Sequence, residues 1–118
     1  MRMMIAAVLV LTSSVAIADE VEDAHCLAVT GRDSYWNCLA REYPRDTNKA
    51  MSEQDFTSLI TRVCASERQN FRTSLVDFLT LQFPNAEAGT HLTTANRAIE
   101  LAQKDIVTAF VKRRAAAK

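Results

Sequence analysis

The sequence predicts a small all-α bundle of three to four helices tied by one intrachain disulfide. Three observations carry that expectation. Glycine and proline number only two each in 118 residues. Apolar residues recur three and four apart, with no strand-like alternation. Three cysteines follow a segment with the character of an export signal, and exported chains meet oxidants that favour disulfides.

The first element is not expected to belong to the folded domain. The chain opens MRMMIAAVLVLTSSVAIA, with a basic Arg2, an apolar run from Ile5 to Leu11, a polar Thr12-Ser13-Ser14 patch and small residues at Ala16 and Ala18. That is the order of a secretory signal peptide. Cleavage is expected after Ala18, leaving residues 19–118 as a single helical domain in the periplasm or outside the cell. A retained span would need about 20 apolar residues, and Thr12 to Ser14 interrupt this run. No stable membrane span is therefore expected once the signal is cut. Lipid attachment is also disfavoured, because Asp23-Ala24-His25 stands where small residues would have to precede Cys26.

The first helix of the domain is expected over Asp19–Val29, with Val21, Ala24, Leu27 and Ala28 inward and a stop at Thr30-Gly31-Arg32, where Gly31 can turn left-handed. Asp33 would cap a short second helix with Tyr35, Trp36, Leu39, Ala40 and Tyr43 on its apolar side, and Pro44 would end it. Arg45 to Ala50 read as a polar loop. The best-marked helix start follows at Met51-Ser52-Glu53-Gln54-Asp55-Phe56, where Ser52 and Asp55 form a capping box and Met51 and Phe56 a hydrophobic staple.

A long third helix is expected from there to Phe83. It turns Phe56, Leu59, Ile60, Val63, Cys64, Phe71, Leu75, Phe78 and Leu79 inward, and Glu67 to Asn70 dilute its stripe, where the helix can kink or break although no proline forces it. Pro84 to Gly89 make the next loop. The last helix begins near Thr90 to Thr94 and shows the tightest pattern, the seam Leu92, Ala95, Ile99, Ala102, Ile106 and Ala109. Its alternation of large and small residues lets a neighbouring backbone come close. It suits packing in the bundle or a homodimer contact through the 92–110 helix.

Charge narrows the function classes. Fourteen basic and fourteen acidic residues cancel, which argues against nucleic acid, where affinity comes chiefly from phosphate neutralisation. Acids gather at Asp19, Glu20, Glu22 and Asp23, and bases at Lys112, Arg113, Arg114 and Lys118. Such an order complements helix macrodipoles, and the basic end also offers contact with an anionic surface.

Cysteine is the main chemical resource. A bridge between Cys38 and Cys64 would clamp a helical hairpin, with Cys26 to Cys64 as the rival pairing. Cys64 lies about eight residues farther along its helix from the connecting loop than Cys38 does, roughly 12 Å at 1.5 Å per residue, so the favoured bridge requires the helices to stagger. Cys26 would then be a free thiol or join a second copy of the chain. With His25 and His91 it forms the one candidate set for thiol or metal handling, although the spacing is not zinc-like.

Glu67 sits within an apolar stripe, and an arginine from another helix is expected to pair with it. No nucleophile, phosphate-loop or metalloprotease motif is present. The expectation is a non-catalytic, cofactor-free module that binds another macromolecule, of the kind served by inhibitors, immunity proteins and chaperones.

Overall fold

The structure, a computed structural model, describes residues 11–117. Residues 1–10, and with them most of the expected signal segment, lie outside the described residues. The fold is all-helical: α1 (Leu11–Ala40), a short 3-10 turn at Asp46–Asn48, α2 (Glu53–Arg62), α3 (Ala65–Gln82) and α4 (Thr90–Ala116).

The expected break at Gly31 does not occur, and the first two predicted helices are one. A Cβ at Gly31 would stand 3.1 Å from the Phe71 Cα. Its glycine therefore serves close approach of two helices, not a left-handed stop. Asp33, expected to be a cap, lies inside α1, where the Arg32 guanidinium donates to its carboxylate at 3.2 Å. Because residues 11–18 are already helical ahead of them, the acids at 19, 20, 22 and 23 lie within α1 in the full chain.

The second departure is the reverse. The predicted third helix is two helices, parted by Val63 in extended backbone and Cys64 in the left-handed region at φ 59°. Such a conformation costs a β-carbon-bearing residue about 1–2 kcal/mol. The α2 end is closed by Arg68, whose Nη1 donates to the Thr61 carbonyl at 2.7 Å. The α2 start follows the sequence reading in part: the Asp55 amide donates to Ser52 Oγ at 3.0 Å, while the return half of the capping box does not form among the described residues.

Residues 38, 31 and 25 of α1 meet Cys64, just ahead of α3, and then residues 71 and 78 of α3 in turn. The two helices are thus antiparallel and advance by nearly equal steps. On α1 the small residues Ala24, Ala28 and Gly31 precede Tyr35 and Leu39 along this seam. Helix α4 lies on α3 and α2, fixed to α3 by Arg72 Nε donating to Asn96 Oδ1 at 2.9 Å and to α1 by Gln103 Nε2 donating to the Tyr35 hydroxyl at 3.0 Å.

The core is concentrated at the C-terminal half of α1, where Tyr35, Leu39, Phe56, Ile60, Phe71, Ile99, Ala102, Ile106 and Phe110 form one buried cluster. The α4 seam holds from Ala95 to Ile106, but Leu92 is exposed beyond the cluster and Phe110, not Ala109, is its last buried position.

Substituting valine at Gly31 is expected to destabilise the fold by about 1–3 kcal/mol, the usual cost of forcing bulk into a packed contact. Its facing atom is backbone and cannot swing aside. Urea unfolding measures this. A Gly31→Val variant at least as stable as the parent would show that α1 and α3 can part freely.

Candidate functional site

Cys38 and Cys64 stand at disulfide distance, Sγ to Sγ 2.04 Å and Cα to Cα 6.1 Å. The stagger required by a continuous third helix disappears, because α2 ends before Cys64 and the joint places that residue at the N-terminus of α3, opposite the end of α1. Cys26 is exposed and unpaired among the described residues, on the outer side of α1.

Glu67 has no ion-pair partner among the described residues, so the expected arginine contact is absent. Its half-buried carboxylate instead lies within 4.8 Å of both bridge sulfurs. His25, Cys26 and His91 are not brought within ligating reach of one another. The His25 ring packs on Phe78 with centroids 5.0 Å apart, and His91 Nε2 lies 3.0 Å from the Phe83 carbonyl oxygen.

A groove of about 500 Å³ lies between α1 and α3. Ala24 forms its floor, Leu27 and Leu81 its apolar walls, and Glu20, Asp23 and Asp77 its rim. Leu27 is 63 % exposed and Leu81 40 %, whereas Leu27 is expected from periodicity to face inward. The reason is geometric. At about 100° per residue, Leu27 lies well to one side of the seam through Ala24, Ala28 and Gly31. On α3, Leu81 is nine residues from Arg72 and so half a turn around from the side that meets α4. The groove therefore occupies the flank of the α1–α3 pair that α4 leaves uncovered. A signal for it is present in the sequence: on each helix an acid stands one turn before an exposed leucine, Asp23 before Leu27 and Asp77 before Leu81.

At the opposite end of α1 is a smaller hollow of about 230 Å³, lined by Tyr43, Lys49, Phe110, Arg113 and Arg114. Lys49 Nζ lies 2.8 Å from Asp46 Oδ1. The Asp46 carboxyl is held below its ordinary value of 3.8 by the hydrogen bond from Lys49, by the charge of Lys49 and, more weakly, by that of Arg113. Arg114 is fixed by donating from Nη1 to the Met51 carbonyl at 2.6 Å, with its guanidinium 5.9 Å above the Phe110 ring.

None of the helices among the described residues is long and apolar enough to cross a membrane. No protein-family model, curated protein or solved structure matches this chain.

Proposed function

We propose that this is an exported, non-catalytic binding module whose α1–α3 groove receives a basic amphipathic helix of a partner protein. The observation that carries the reading is the pairing of two exposed leucines with a rim of three carboxylates in one groove. Exposed leucines set in a concave surface favour an apolar partner face, and an acid rim selects lysine and arginine beside that face. A helix is the natural occupant of a trough between two antiparallel helices, since ridges of one fit the grooves of its neighbours.

Export is supported by the order of residues 1–18. Cleavage after Ala18 would set Asp19, Glu20, Glu22 and Asp23 in the first turns of the shortened helix, a favourable place for negative charge.

The test uses a synthetic Leu/Lys amphipathic helical peptide carrying a fluorophore, titrated with the exported protein, whose N-terminus is read by mass spectrometry. Saturable binding is expected, with Leu27→Glu weakening it at least about tenfold, in line with loss of a buried apolar anchor. The same substitution should change stability by no more than about 0.5 kcal/mol, as befits an exposed site. Undiminished binding by Leu27→Glu, or equal binding of a Leu/Glu peptide, would rule out the groove as the site.

A further inference from the structure

We propose that the hollow between the 43–49 turn and the end of α4 is a binding site for a phosphate group, carried by a small ligand or by a lipid headgroup, and held by Lys49, Arg113 and Arg114 over the ring of Phe110. Charge balance points to an anion. Among the described residues Lys49 pairs with the Asp46 carboxylate, Arg113 acts on the same carboxylate more weakly, and Arg114 makes no ion pair. Three cations against one side-chain carboxylate leave positive charge in excess, part of which offsets the negative C-terminal end of α4. A phosphate monoester carries about −1.5 to −2 at neutral pH and answers more of the remainder than a single carboxylate does.

Donor geometry agrees. A guanidinium offers five N–H donors and an ammonium three. Arg114 commits Nη1 to Met51 and Lys49 commits one donor to Asp46, so most of their capacity remains for the oxygens of a phosphate. Arg114 is also pre-set: its bond to Met51 and its position over Phe110 fix the guanidinium before any ligand arrives, which removes part of the ordering cost of binding. The floor is rigid, because Phe110 is buried and stacked on Phe56 at 3.9 Å between ring centroids. At about 230 Å³ the hollow is smaller than the roughly 300–1,000 Å³ that encloses a whole drug-sized molecule. It therefore suits one anionic group, with the rest of the ligand outside.

The experiment is a titration of the ¹⁵N-labelled full chain with inorganic phosphate, with acetate as comparator, followed by sedimentation with phosphatidylcholine vesicles with or without phosphatidic acid. Saturable phosphate shifts gathered on Lys49, Arg113 and Arg114 are expected, with acetate binding more weakly. Arg113→Ala should weaken phosphate at least about tenfold, the scale of a lost charge-assisted contact. Arg97→Ala, an exposed α4 cation outside the hollow, should have no effect. If free phosphate fails but the protein sediments only with phosphatidic acid, and Arg113→Ala abolishes this, the headgroup is the source. Binding in neither arm, or equal losses from Arg97→Ala and Arg113→Ala, would overturn the proposal.

Discussion

Replacing both Cys38 and Cys64 by serine is expected to lower the unfolding free energy by about 3 kcal/mol, the chain-entropy value for closing a loop of this size. The two residues are 26 apart in sequence, and the bridge joins three things at once: the end of α1, the α2–α3 joint and the N-terminus of α3. For a domain whose total stability is of the order of 5–15 kcal/mol, the loss is a large share. Part of it is offset if the substituted serine relaxes from the left-handed backbone that Cys64 holds at φ 59°. Urea unfolding of the double variant beside the parent measures the difference, and the parent in dithiothreitol should approach the variant. A loss below about 1 kcal/mol, well short of the usual disulfide contribution, would mean that helix packing alone holds the hairpin closed.

The second large effect is expected at Phe56. Its side chain is fully buried, stacks on Phe110 with an interplanar angle of 11°, and anchors the first turn of α2 beside Met51. Phe56→Ala removes a ring from the centre of the core and should cost about 3–5 kcal/mol, seen as a lower urea midpoint with an unchanged slope. Trp36→Ala provides the contrast. Trp36 is larger but 42 % exposed, so its loss should stay below about 3 kcal/mol, the area-based value for its buried part. Equal costs at the two positions would show that the core is not where Phe56 and Phe110 place it.

How far the fold is legible before any coordinates depends on which force decides each element. Helix α4 could be read because its buried positions repeat with the period of the helix itself. The start of α2 could be read because Ser52, Met51 and Phe56 act within one turn of each other. Gly31 misleads because local propensity says stop, while its actual role is set by Phe71, far along the chain on another helix. The seven-residue recurrence of Ala24, Gly31 and Cys38, matched by Cys64, Phe71 and Phe78, is the pattern of two unbroken helices in antiparallel contact, and it outweighs the single glycine.

The break at Cys64 leaves no such trace. Cysteine has no preference for a left-handed backbone, and the joint exists because a bridge and an antiparallel partner both claim that residue. The candidate sites divide in the same way. Basic residues at the end of α4 are conspicuous in the sequence, but Lys49 joins them only through the fold of the 43–49 turn. Leu27 looks like a core residue because a single helix face does not reveal which flank its neighbours will cover.

The antiparallel pair of α1 and α3 is tied covalently at one end only. Nearly all of the large buried side chains crowd toward that end, while the other end rests on Ala24, Ala28 and the His25–Phe78 contact. Free energies of local opening must then be graded along the molecule, close to the global value beside the bridge and falling toward residues 20–27 and 78–82. The pair works mechanically as a clip with a welded hinge. Its loose jaws are the walls of the groove, the part of the molecule where local opening costs least, while the core at the hinge stays intact.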